Sequence, residues 1–379
     1  MTVAPASPRI RVLWLIKGLG PGGAERLLVS IAGAADHHLF DYHAGYLLSS
    51  KDQLVAELEG EGVTVHRFGS DRRGDLRWLL RLWRLLRTEG FDVVHVHSPF
   101  LAVIARVLVR GGLGRRRPTL IYTEHNVWSA YGRPTRWANC LTYGLDDVHL
   151  AVSEAARQSV GRRWRDGVEV VVHGIPIQQV AAQAAAREAS RFELGITPDQ
   201  VVIGTVANHR REKDYPTLLA AARTVLDSAE SVQFVAVGQG PLTKAIEAEH
   251  RRLGLGDRFR LLGYRDDAVR VMAAADVFTL SSIQEGYPVA LMEALALGLP
   301  VVATNVGGIS DAIHEGLEGE LVPPGRPDLL ARAVLRMVQD PSRRAQTGRA
   351  ARERALEFDV QRAALSIEKV YLNSAASKG

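Results

Sequence analysis

Thirteen short apolar runs recur along the chain, mostly separated by segments of helical spacing, and this alternation constrains the fold more than any other feature. In the first half the runs are RVLWLIK (11–17), YHAGYLL (42–48), VTVHRF (63–68), DVVHVH (92–97), TLIYTE (119–124), VHLAVS (148–153) and VEVVVH (168–173). In the second they are VVIGTVA (201–207), VQFVAVG (232–238), FRLLG (259–263), DVFTLS (276–281), PVVAT (300–304) and GELV (319–322). Runs that are continuously Val, Ile and Leu rich, without strict polar alternation, are strands covered on both faces. Strands of that kind interleaved with helices form parallel sheets in an α/β fold.

The alternation pauses over 175–200, where an Ala-rich stretch carries no strand signal, and then restarts. We therefore expect two Rossmann-like, doubly wound parallel-sheet domains facing across a cleft. The first spans 1–178, a connection spans 179–198, and the second spans 199–358. A last helical segment, 359–379, is free to pack on either domain, the first included. The length of 379 residues suits two ordinary cores. Ligands of such folds gather at the carboxyl ends of the strands.

Composition narrows the class. An apolar fraction of 46% with 23% charged residues is that of a globular protein, and the single cysteine excludes an internal disulfide. No apolar run is long enough to span a bilayer, and the first residues lack the pattern of a signal peptide, so a cytoplasmic location is expected. The formal charge is +5, with the basic excess in RRGDLRWLLRLWRLLR (72–87) and RRR (115–117). Two readings fit the first run. One is peripheral attraction to an anionic membrane face. The plainer one is a helix with an apolar stripe of Leu76, Leu79, Leu80, Trp83 and Leu86 packed inward and a solvated Arg face. No aromatic-interleaved basic patch suggests nucleic acid.

The densest chemical signal is EGYPVALMEALALGLPVVATNVGG, 285–308. Pro288 is suited to a first helical position. That puts Glu285 just ahead of a helix and Glu293 about one and a half turns inside an otherwise apolar one. A charge in such a run needs a partner. Two acids at a helix mouth suit a hydroxyl-rich ligand that also carries a diphosphate. Other strand-to-helix turns add to this. Gly20, Gly22 and Gly23 follow the first strand, Gly238 and Gly240 the second strand of the second half, and Gly307 and Gly308 the fifth. Arg210, Arg211 and Lys213 lie between a strand and a helix, where basic groups neutralise phosphates. His97 and His125 end successive strands, and His95 is expected to be structural. No metal-ligand spacing, nucleophile elbow or dinucleotide glycine spacing is present, so no metal and no cofactor are expected.

The run SSIQEGYPVALMEALALGLPVVATNVGGISDAI, together with KGLGPGGAERLL, DVVHVHSP, YTEHN, AVSEAAR, EKDYPTLLAA and VAVGQGPL in this order, resembles the retaining glycosyltransferases of family 4. These are nucleotide-sugar-dependent enzymes of the GT-B architecture, and the resemblance covers nearly the whole chain. It implies that Glu285 contacts the donor sugar hydroxyls and that the backbone of Gly286, Tyr287, Pro288 and Val289 lies against sugar and phosphates. It likewise implies that Glu293 grips the ribose, that Lys213 neutralises the diphosphate, that Gly22 and Gly23 close over the phosphates, and that His125 stands near the reacting centre. Two departures stand out. The family usually has Gly-Arg where Ala207 and Asn208 stand, leaving Arg210 to substitute, and Asn-Gly is common where His173 and Gly174 stand.

The function implied is retaining hexosyl transfer from a nucleotide-diphosphate sugar, UDP being the common choice. The acceptor is a hydroxyl on a growing glycan, a lipid-linked intermediate or a small metabolite, as in polysaccharide biosynthesis. A nucleotide-sugar epimerase of similar architecture and a non-catalytic sugar-nucleotide-binding module are the rivals.

Overall fold

The computed structural model describes residues 9–69, 75–111 and 117–376. The chain forms two compact units, one of Met1–Gly174 with Val360–Gly379, the other of Ile175–Asp359. The expected strand runs each hold a strand. In the first unit these are β1 (Ile10–Ile16), β2 (Phe40–Tyr46), β3 (Thr64–Arg67), β4 (Val93–Val96), β5 (Thr119–Glu124), β6 (Val148–Ala151) and β7 (Val168–Val170). They build a parallel sheet in the order β3-β2-β1-β4-β5-β6-β7. In the second, β8 (Val201–Val206), β9 (Val232–Val237), β10 (Phe259–Leu261), β11 (Val277–Leu280), β12 (Val301–Thr304) and β13 (Gly319–Val322) are ordered β10-β9-β8-β11-β12-β13. Both are Rossmann-like, and each order reverses once, at β1/β4 and at β8/β11.

Burial on both faces explains the unbroken apolar strands. Along β1, Val12, Trp14 and Ile16 join one core cluster while Leu13 and Leu15 join another, on alternate sides of the pleat. The first of these cores is closed by the last helix, Val360–Ala376, which therefore belongs to the first unit. Tyr371 is fully buried there and its hydroxyl accepts from Trp14 Nε1 at 3.0 Å. Glu368 accepts from the Asp36 backbone N–H and the Tyr42 hydroxyl.

Two expectations are corrected. The segment 179–198, expected as the connection between the domains, lies within the second unit. It continues a helical stretch, Ile177–Ala182 and Arg187–Glu193, within the second unit. Arg187 and Arg191 both pair with Asp276, at 2.6 and 3.2 Å, and Ile177 and Val180 are buried. Absence of a strand signal here meant helix. The boundary accordingly falls at 174/175, not after 178. In the helix Arg77–Thr88 the inward residues are Trp78 and Leu82, with Leu79, Leu85 and Leu86 partly covered, whereas Leu76 and Leu80 face solvent. The expected stripe was thus placed too far round the helix. Arg72, Arg73, Arg115 and Arg116 lie outside the described residues. Among the described residues no helix is long and apolar enough to cross a membrane.

The buried tie from Trp14 to the last helix gives a direct test. Tyr371→Phe strands the Trp14 donor, and the first unit should lose about 1–3 kcal/mol. Chemical denaturation followed by tryptophan fluorescence reads this, with the exposed Leu372→Ala as a control of unchanged midpoint.

Candidate functional site

In the second unit the loops leaving β8 and β11 diverge, because the sheet order reverses between them. Such a point is where α/β sheets hold ligands. Lys213, from the β8 loop, donates to Glu285 Oε1, from the β11 loop, at 2.5 Å. The Ser282 hydroxyl donates to the same oxygen at 2.6 Å. Both partners are largely covered, Glu285 the more so. The two loops are also joined through their backbones. Ile283 N–H donates to Glu212 O, and the Ser281 hydroxyl lies 2.8 and 3.0 Å from the Lys213 and Asp214 carbonyl oxygens. Asp214 is the one described non-glycine residue at positive φ, +44°, and caps the start of the helix Tyr215–Ser228. Left-handed backbone at such a residue carries strain of order 1 kcal/mol and is characteristic of functional turns.

Two glycines are required for this arrangement. A Cβ on Gly307, whose φ is +54°, would lie 1.9 Å from the Glu285 carbonyl oxygen. One on Gly308 would lie 2.2 Å from that of Gly286. The β12 loop therefore presses directly against the backbone carrying Glu285, and Gly308 N–H bonds Gly286 O at 2.8 Å. Thr304 Oγ1 donates to Ser282 O from the same side. Gly238 and Gly240, expected to bind donor, have a packing duty: a Cβ on either would strike the Ala207 or His209 carbonyl oxygen.

The helix after Glu285 is Val289–Leu297, with Pro288 at its cap position and not inside it. Glu293 is half-buried on this otherwise apolar helix. Gly286, Tyr287 and Pro288 are buried, Val289 half-buried, and the Tyr287 ring rests on Phe358. Arg210 and Asn208 are exposed. Arg210 lines a cavity of about 240 Å³ with Arg211, Asp214, Tyr215, Leu242 and Ile283.

The first unit carries an imidazole cluster at the carboxyl ends of its strands. His97 Nδ1 and His125 Nε2 are 2.9 Å apart, His125 stacks on His173 at 5.0 Å, and His95 bonds Tyr371 and Thr123. His95 is thus structural, as expected. Burial drives all four toward the neutral form: His95, His97 and His125 lie well below the usual range, and His173 at about 4. His97 Nε2 and both His173 nitrogens are buried without a partner. Gly22 and Gly23 begin the helix Gly23–Ala34 after β1, and Lys17 N–H bonds Ser98 Oγ across β1/β4. Glu124, beside His125, was not singled out in the sequence. It receives bonds from Tyr122, Trp128, Tyr131 and Asn139, and burial raises it to about 7. Its signal was an acid ending an apolar strand. Ser282 carried no comparable signal.

A histidine held at about 4 in the folded unit, against about 6.5 unfolded, costs stability as pH falls through that window, because the unfolded chain then binds the extra proton. Glu124, raised when folded, acts in the opposite sense below pH 7. Comparing His173→Asn with the parent isolates the first effect. From pH 7 to pH 5 the parent should lose roughly 2 kcal/mol more than the variant in urea unfolding; parallel pH profiles would refute the assignment.

Comparisons with known proteins agree with this fold. Residues 21–179 match the family described as Glycosyltransferase Family 4, and residues 186–354 that described as Glycosyl transferases group 1. The D-inositol 3-phosphate glycosyltransferase of Corynebacterium urealyticum is 30% identical over 79% of this chain and 68% of its own. The UDP-Gal:alpha-D-GlcNAc-diphosphoundecaprenol alpha-1,3-galactosyltransferase of Escherichia coli is 26% identical over 70% and 71%. Among solved structures, Anabaena Alr3699/HepE in complex with UDP-glucose superposes with a TM-score of 0.85 at 23% identity, covering 96% of this chain and 100% of that one. With two Rossmann-like units of the GT-B class and both halves matched, the chain belongs to the group 1, family 4 glycosyltransferases.

Proposed function

We propose that the protein is a retaining hexosyltransferase that takes its sugar from a UDP-sugar and passes it to a hydroxyl acceptor on a growing glycan, a lipid-linked intermediate or a small metabolite. The observation that carries this reading is the Lys213–Glu285 pair where the order of the second sheet reverses. It sets a cation for phosphate beside a carboxylate for sugar hydroxyls. The E. coli relative is named for a UDP-Gal donor, and the Anabaena structure holds UDP-glucose.

In this reading Lys213 faces the diphosphate, with Arg210 contributing from the same loop. Glu285 and the backbone of Gly286–Val289 hold the sugar, Glu293 holds the ribose, Gly22 and Gly23 approach the phosphates, and His125 attends the reacting centre. The bond from the anomeric carbon to the β-phosphate oxygen breaks as the acceptor oxygen attacks from the same face. The departing diphosphate takes the acceptor proton. The catalytic demand is therefore charge stabilisation on the leaving group, which Lys213 and helix N-termini supply. Glu285 orients the sugar and forms no covalent bond to it.

Product stereochemistry tests the mechanism: proton NMR of the transferred sugar should show the donor's anomeric configuration, and an inverted product would overturn it. Lys213→Ala should lower kcat by about 100- to 1,000-fold. Glu293→Ala should raise the donor KM; an unchanged value would remove the ribose role.

A further inference from the structure

Glu124 is wholly buried at the end of β5, one residue before His125. Its Oε1 accepts from Trp128 Nε1 at 2.7 Å and from Asn139 Nδ2 at 3.3 Å. Its Oε2 accepts from the Tyr131 hydroxyl at 2.8 Å and the Tyr122 hydroxyl at 3.2 Å. Two of these donors stand on regular elements, Tyr122 on the same strand and Asn139 on the helix Arg133–Thr142. Asn139 is aimed by the buried Arg106, which donates to its Oδ1 at 2.6 Å and leaves Nδ2 for the carboxylate. The other two donors, Trp128 and Tyr131, belong to the segment 126–132 between strand and helix. That segment holds a single 3-10 turn, Trp128–Ala130, and exposes Ser129, Ala130 and Gly132. Glu124 thus ties a short surface segment to the two rigid elements that flank it.

Burying a carboxylate is costly, and apolar side chains of similar volume often give equal stability. What this carboxylate supplies is geometry, because four donors converge on two oxygens. The segment it holds follows His125, at the carboxyl end of a strand, where folds of this class keep their ligands. Successive side chains alternate across a strand. The His125 ring accordingly turns to His97 and His173, away from the donors that surround Glu124. Glu124 therefore acts on the strand end through the segment and not by contact. Full use of its oxygens requires the ionised form, since a protonated carboxyl must place its own O–H. Burial raises Glu124 to about 7, although the four donors favour its charge. Around it, burial keeps Tyr122, Tyr131 and Tyr143 neutral. Arg106, over the Tyr122 ring at 4.8 Å, is paired with Asp146.

We infer that Glu124 is a positioning residue for the transfer reaction: through Trp128 and Tyr131 it fixes the segment 126–132, and with it the His125 ring, in the geometry that turnover requires. The inference rests on the transferase reading above, and its test separates the two. Tyr131→Phe and Tyr122→Phe each remove one hydroxyl from the same carboxylate oxygen, but only Tyr131 anchors the segment. Hydrogen exchange of the backbone amides of 126–132, read by mass spectrometry, should quicken about tenfold in Tyr131→Phe and keep the parent rate in Tyr122→Phe. Turnover is read as UDP release from UDP-glucose and UDP-galactose, with water as the acceptor. Tyr131→Phe should lower kcat by about 10- to 100-fold at unchanged donor KM, and Tyr122→Phe should alter neither. Glu124→Gln preserves all four contacts, its oxygen accepting from Trp128 and Asn139 and its amide N–H groups donating to the two tyrosine hydroxyls. It should retain turnover at pH 8 and lack the fall that the parent shows toward pH 6 as Glu124 takes up a proton. Equal effects of the two Phe variants, a kcat that rises as the segment loosens, or parallel pH profiles of parent and Glu124→Gln would each overturn the inference. A parent that releases UDP from neither donor would instead overturn the transferase reading, and the exchange comparison would still decide whether Glu124 holds the segment.

Discussion

The ion pair of Lys213 with Glu285 is the interaction around which the second unit is arranged. Lys213 ends a single 3-10 turn, Arg211–Lys213, Glu285 lies outside any regular element, and each comes from a connection that leaves the sheet on its own side of the reversal. A largely covered ammonium and a covered carboxylate are costly alone, and together with Ser282 they satisfy each other. The cost of holding them appears in the backbone. Asp214 sits in the left-handed region, and Gly307 and Gly308 admit a neighbouring loop that any side chain would exclude. In the proposed reaction this cation meets the diphosphate and this carboxylate the sugar.

The first unit solves a different problem. Its strand ends hold four imidazoles in a setting that disfavours their charge, so His125 is presented as a neutral ring. Glu124 pins the adjoining loop through Trp128 and Tyr131, and also accepts from Tyr122 of its own strand and from Asn139 of the helix Arg133–Thr142. The last helix, returning to this unit, reaches His95 through Tyr371 and thus links the core to the cluster.

Much of this was legible from residue pattern. Strands buried on both faces announce themselves by unbroken Val, Ile and Leu, and β1 through β13 fall where those runs stand. The places of Lys213 and Glu285 beyond strand ends were legible too, their roles rest on the family resemblance, and their direct pairing is what the coordinates add. What pattern reading lost has physical causes. The 179–198 segment lacks strand character because it is helix, held by Arg187 and Arg191 on Asp276, a pairing across more than 80 positions that no local signal reveals. At Gly238 and Gly240 the coordinates add what pattern cannot carry: the carbonyl oxygens of Ala207 and His209 occupy the space of their absent side chains. Leu76 and Leu80 fit an apolar stripe by spacing, and the direction of the helix relative to its sheet turned them outward.

The division of labour within the pair is the central claim: Lys213 for phosphate, Glu285 for sugar. Titration calorimetry with UDP and with the tighter-binding of UDP-glucose and UDP-galactose tests it most directly. Glu285→Gln should weaken the UDP-sugar by about 10- to 100-fold while leaving UDP unchanged. An equal loss for both ligands, or none for the sugar nucleotide, would contradict the account.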